Sequence, residues 1–257
     1  MNGFVAMFKK ELKEQWRTSR VIIAYAVLLF AALSALLLVK FLPDIIKSSA
    51  SKQNIQIIIG PQTAADAVAS YLGNMLQIPA LVIILLAMGA IAHERERGTA
   101  VLVLTKPLSR TAFVLSKFSA YWLVLASALF VTALLSLYYT VLLFDRVDLG
   151  AYLILNLNLL TFLSIVLALT FLCSSLFRNQ IAAGGLAFVS YLLLNTLIGL
   201  VPDISRYFPT VINSNKAKNL LNGSGSVGDF IPALFTGSLS VAILIAITCF
   251  IMRSKEM

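Results

Sequence analysis

The apolar positions of this chain gather into six long runs, at about 21–42, 71–92, 118–144, 152–177, 181–201 and 230–252. Each is close to the roughly 20 residues that a helix needs to cross about 30 Å of hydrocarbon. The pattern predicts an all-α polytopic membrane protein in which residues 1–257 form a single transmembrane domain. Six such spans leave no room for a soluble domain, and no repeat longer than their alternation is present. The first run is too long for a signal-peptide core and has no convincing cleavage site before Lys40, so it reads as a retained span. Polar connections separate the runs: a mixed stretch from Pro43 to Ser70, a charged one over 93–117, a tight turn at Ser174 to Gln180, and an Asn-, Ser- and Gly-rich stretch within Pro202 to Asp229.

The first 20 or so residues follow a helical period instead of a continuous apolar run. At 100° per residue, Phe4, Val5, Phe8, Leu12 and Trp16 share one third of the surface, while Lys9, Lys10, Lys13, Arg17 and Arg20 lie opposite. This predicts an interfacial helix at the membrane surface, with Phe4, Phe8 and Trp16 in the headgroup boundary and Lys9, Lys13 and Arg17 toward water and anionic lipid. A mere basic flank of the first span is the alternative.

Composition agrees with the bilayer: 60% of residues are hydrophobic, 12% are charged, and the mean hydropathy is +0.92. A soluble domain of this length cannot hide that much apolar surface. The net charge of +9 points to anionic lipid and not to nucleic acid, because the basic residues sit beside the spans instead of forming one basic face. Of the 20 Lys and Arg, 13 fall in residues 1–20, 93–117, 178–180 and 253–257, leaving that side at +8 and the other at +1. The positive-inside rule then puts both termini and the 93–117 loop in the cytoplasm, as expected for a multi-pass protein of the plasma membrane.

The inventory of reactive groups excludes several classes. Apart from Lys40, no charged residue lies inside the six runs, so the proton relays and ion pairs of secondary transporters are missing. His93 is the only histidine, which leaves no usual zinc site and no serine–histidine pair with the Asn222–Ser226 segment on the other side. Cys173 and Cys249 sit within apolar runs and behave as small hydrophobes. No GxxxxGK[ST] phosphate loop occurs, so the chain has no catalytic site of its own for ATP hydrolysis. Uncharged polar residues do enter membrane depth: Thr132, Ser136, Asn156, Asn158, Ser164, Asn195 and Thr196. Hydrogen bonds between helices explain them, and Asn156, Asn158, Asn195 and Thr196 are also the candidates for lining a pathway. Ala182 to Gly185 reads as a close helix crossing.

The most motif-like segment is His93 to Arg110, HERERGTAVLVLTKPLSR. Gly98 can take the positive φ that ends a helix, Thr99 can cap the next, Pro107 forbids continuation and Ser109 offers a further cap. Arg110 in a first helical turn opposes the helix dipole, so a partner or a lipid phosphate is expected to compensate it.

At these residues the sequence resembles the permease subunits of ABC-2 type transporters, whose loop after the second span reads acidic, basic, acidic, basic, Gly-Thr, several aliphatics, then Pro-hydrophobic-Ser-Arg. The resemblance implies the six-span exporter architecture with an N-terminal elbow helix. It implies that Glu94, Arg95, Glu96, Arg97, Gly98, Thr99, Pro107, Ser109 and Arg110 dock into a separate ATPase subunit, which binds the ATP and Mg that this chain does not. A second, smaller contact would use Arg178 and Asn179. The pathway would form between this chain and a second copy or a paralogue, and short helices in the 202–229 connection would cover its outer exit. A scaffold that moves nothing and binds a cytoplasmic partner through the same loop remains the alternative, with a plain charged connector as the simplest reading of the loop.

Overall fold

A computed structural model describes residues 2–51, 60–96, 109–144, 146–200, 207–213 and 215–254. The described residues are almost all helical and contain no strand. In chain order the helices are α1 (Asn2–Arg17), α2 (Arg20–Ser51), α3 (Ala64–Ala87), α4 (Gly89–Glu96), α5 (Arg110–Leu143), α6 (Leu149–Leu176), α7 (Gln180–Leu200), α8 (Asn215–Leu221) and α9 (Ile231–Ser254). Two short 3-10 turns, Pro209–Asn213 and Val227–Phe230, flank α8. Six segments are long and apolar enough to cross a membrane: Arg20–Lys47, Ala64–Glu96, Arg110–Leu143, Leu149–Leu176, Gln180–Ile198 and Val227–Ser254.

Helix starts are set by side-chain caps on the first orphan amides. Thr63 accepts from the Asp66 amide while Asp66 accepts from the Thr63 amide, a capping box that starts α3 at Ala64, a turn or more before the Tyr71 that hydropathy suggested. Ser109 caps α5 as expected, and the helix runs unbroken from Arg110, so Lys117 lies two turns inside it and not in a loop. Asp148 caps α6, and Asn179 accepts from the Ile181 amide at 2.7 Å at the start of α7. At the other extreme, α2 continues through Pro43 to Ser51, where a mixed connection was expected.

α6 is the axis of the bundle, the most enclosed of the six spans, with α3, α7 and α9 against it. Association in lipid relies on close packing and on hydrogen bonds between helices, since the solvent is itself apolar. The α2–α3 seam shows the first device, with Ala31, Ala32 and Ala35 fully enclosed. The α3–α6 seam shows the second: the Tyr71 hydroxyl donates to Asn156 Oδ1 at 2.8 Å. Trp122 Nε1 donates to Ser164 Oγ at 2.9 Å, tying α5 to α6, and the Tyr191 hydroxyl donates to the Leu76 carbonyl at 2.9 Å, tying α7 to α3. Ala183 and Gly184 form the expected crossing, with Gly184 pressed against Met88, while Ala182 and Gly185 face outward. Large apolar side chains such as Phe130, Phe235 and Phe250 coat the outside, as a lipid-facing surface requires.

Candidate functional site

Helix α3 stops at Ala87 and α4 resumes at Gly89, with no proline at the break. Ser174 on α6 occupies the gap in the backbone ladder. Its hydroxyl accepts from the amides of Ile91 and Ala92 at 3.1 and 3.0 Å and donates to the Met88 carbonyl at 2.7 Å. A side chain inserted in this way takes over bonds that the helix would otherwise make to itself. Gly89 permits the close approach of α7, since a Cβ there would lie 2.9 Å from Gln180 Oε1. Helix α4 is the stem that leads into residues 97–108.

That stem is held on several sides. Arg95 donates to the Ser175 carbonyl of α6 at 2.9 Å. Glu94 accepts from Lys117 Nζ on α5 at 2.9 Å, and the same ammonium bonds Glu11 on α1 at 3.0 Å. Lys117 and Glu11 are each only 2% exposed. Lys10 completes the cluster from its rim, 3.4 Å from Glu94 and 3.5 Å from both Glu11 and Glu14. Burial works to lower the Lys10 pKa, but Glu94, Glu11 and Glu14 outweigh it and hold the amine above its ordinary range. Three carboxylates, Glu11, Glu14 and Glu94, converge here. Lys10 and Lys117 between them pair with all three, leaving one net negative charge, so the chemistry is that of an ion-pair clasp.

The start of α5 is anchored as well. Arg110 Nη1 donates to the Met252 and Arg253 carbonyls at 3.3 and 3.1 Å, at the last turn of α9. The compensation expected from a partner or lipid phosphate is thus present within the chain, because the negative end of one helix dipole offsets a cation at the positive end of another. Glu96, Ser109, Arg178 and Asn179 are exposed on the same end of the bundle, where Asn179 serves as the α7 cap just described. Arg97, Gly98, Thr99 and Pro107 lie outside the described residues.

Helix α1 differs from a two-faced interfacial helix. Phe4 and Phe8 stack with centroids 6.3 Å apart and Trp16 is 68% exposed, while Lys9, Lys13 and Arg17 are exposed on another side. Between them runs a third face, Met7, Glu11 and Gln15 at i, i+4, i+8, which is buried in the bundle. Ser19, in the left-handed region at φ 57°, makes the corner into α2, and Arg20 donates to the Tyr121 hydroxyl beyond it.

The candidate pathway residues separate. Asn156 and Asn158 are buried and donate to the Tyr152 and Ile154 carbonyls of their own helix; Asn195 is half-buried and Thr196 is exposed, bonded to the Leu192 carbonyl. Asn156 also touches an apolar groove of about 290 Å³ between α5 and α6. The four are not brought together.

Glu11, Lys117 and Ser174 were missed by sequence reasoning. The readable signal was an acid at the centre of the Met7, Glu11, Gln15 stripe and a lysine as the one charge in the stretch Phe113–Leu123. Ser174 was expected in the tight turn Ser174–Gln180, but α6 continues to Leu176 and buries it.

A family profile described as "ABC-2 family transporter protein" matches residues 5–222. An uncharacterized transmembrane protein, YxlG, of Bacillus subtilis (strain 168) is 23% identical over 249 residues, covering 96% of this chain and 95% of that one.

Proposed function

The chain belongs to the ABC-2 transporter family, and from that premise we propose that it is the permease half of an ATP-driven exporter coupled to a separate ATPase through its 93–110 loop. It is a multi-pass membrane protein of the permease type. The observation that carries the coupling is the fixing of both ends of the loop. Outgoing residues Glu94 and Arg95 are pinned to α5, α1 and α6, and incoming Arg110 is pinned to α9. A segment held this way transmits force to the bundle, whereas a plain connector needs no such anchors. Two copies, or this chain and a paralogue, would enclose the pathway, since six spans with few polar residues do not line a wide polar route alone. ATP and Mg would be bound by the ATPase.

Exposed Glu96 and Arg178 are the natural grips, because neither is needed to hold the fold. Reversing both, Glu96→Lys with Arg178→Glu, is expected to lower copurification of the ATPase by about tenfold, as like charges meet at the dock. Insertion and thermal stability should stay unchanged. Copurification equal to wild type would mean that the loop is only a charged connector.

Orientation follows from the +8 against +1 charge split, with both termini and the loop in the cytoplasm of a plasma-membrane protein. With the native cysteines removed, a cysteine at Ser224 should react with an impermeant thiol reagent on intact cells. One at Glu96 should react only after permeabilisation. Reaction at Glu96 in intact cells would invert the topology and remove the dock from the cytoplasm.

A further inference from the structure

We propose that Glu11, Lys117 and Glu94 form a latch through which α1 holds the stem of the loop, and that anionic phospholipid on the basic face of α1 sets how tightly it holds. The argument begins with the position of Lys117. Its ammonium is buried and touches a carboxylate on α1 at 3.0 Å and one on α4 at 2.9 Å, so a single side chain joins two segments that belong to different parts of the chain. Lys117 is therefore a positioning residue. It acts on the loop through Glu94 and on the elbow through Glu11.

The opposite side of α1 supplies the regulator. Ala6, Lys9, Lys10, Lys13, Glu14 and Arg17 shape an open depression of about 510 Å³. Lys9, Lys13 and Arg17, at i, i+4, i+8, place three exposed cations along it. Phe4, Phe8 and Trp16 on the adjoining edge fix this face at headgroup depth, so a lipid phosphate has the complementary charge and the right location. A helix held flat against such a surface keeps Met7, Glu11 and Gln15 seated on the bundle. A helix that frays from it pulls Glu11 away from Lys117 and frees Glu94. Lys10 sits between the two systems, lining the depression while contacting Glu94. That the held segment is a coupling loop rests on the function proposed above; the latch itself does not.

The experiment uses spin labels at Thr18→Cys and Glu96→Cys, both exposed, in the full chain with Cys173 and Cys249 replaced by alanine. Distances are read in vesicles of phosphatidylcholine alone and with about one-third phosphatidylglycerol. For the otherwise wild-type protein, the width of the distance distribution should fall by about half when phosphatidylglycerol is present, the mark of a stem held more tightly. The neutral triple variant Glu11→Gln, Lys117→Met, Glu94→Gln keeps side-chain volume and should show one broad distribution in both lipids. A surface variant, Lys9→Gln, Lys13→Gln, Arg17→Gln, leaves the core untouched and should lose the lipid response. Narrowing in either variant equal to wild type, or a wild-type width indifferent to phosphatidylglycerol, would overturn the proposal. Should the ATPase fail to bind while the widths respond as stated, the coupling reading falls and the latch stands.

Discussion

Lys117→Met alone is expected to cost about 3–5 kcal/mol of stability, far more than its removal together with its two partners. In the native cluster the ammonium lies between Glu11 and Glu94, and the aromatic face of Phe113 is 5.3 Å away. Deleting it leaves two carboxylates in a site that excludes water, with only Lys10 at the rim to neutralise them. The neutral triple variant used above carries no buried charge, and its amides can still bond across the same space. Its stability should lie within about 1.5 kcal/mol of wild type, because replacing a whole buried ion group by neutral groups of similar size is often close to neutral. Unfolding of both variants by denaturing detergent, followed by helical circular dichroism, separates the cases. Equal stability of single and triple variants would show that Lys117 is held by packing and that its charge is incidental.

The contrast between those two variants marks where the sequence was readable and where it was not. The spans and the Ser109 cap could be read because each depends on neighbours within a few residues. The early start of α3 was equally local: Thr63 and Asp66 spell a capping box three residues apart, masked by attention to hydropathy. Lys117 was assigned to a loop because a lysine interrupts apolar character, yet its partners lie 106 and 23 residues away. No periodicity reveals a charge satisfied at that range. The same holds for breaks and continuations. Pro43 and Pro79 lie inside unbroken α2 and α3, while the chain breaks at Met88, where no residue of its own demands it. Local rules place proline correctly as a cost but cannot say which neighbour repairs it. The third face of α1 was hidden for a related reason: Glu11 and Gln15 read as polar, and only a buried partner such as Lys117 makes a polar face an interior one.

Ser174→Ala is expected to disconnect the loop from the bundle while leaving the six spans in place. The serine hydroxyl bridges the broken turn by three bonds, to the Ile91 and Ala92 amides and from its own proton to the Met88 carbonyl. Without it those buried backbone groups lose their partner, at about 1–3 kcal/mol for each one left unmade. The cheapest repair is for α3 and α4 to close their own i to i−4 ladder and run as one straight helix. That repair is expected to shift Gly89–Glu96 on the bundle, parting Arg95 from the Ser175 carbonyl and Glu94 from Lys117. The expected result is a folded permease whose stimulation of ATPase activity, and whose copurification with the ATPase, fall by about tenfold or more. Thr170→Ala is the matched control, four residues earlier on α6, buried, and bonded only to the Val166 carbonyl within its own helix. It should behave as wild type. Wild-type coupling in Ser174→Ala would mean that the position of α4 is set by its packing on α6 and α7, and that the inserted hydroxyl follows the break instead of causing it.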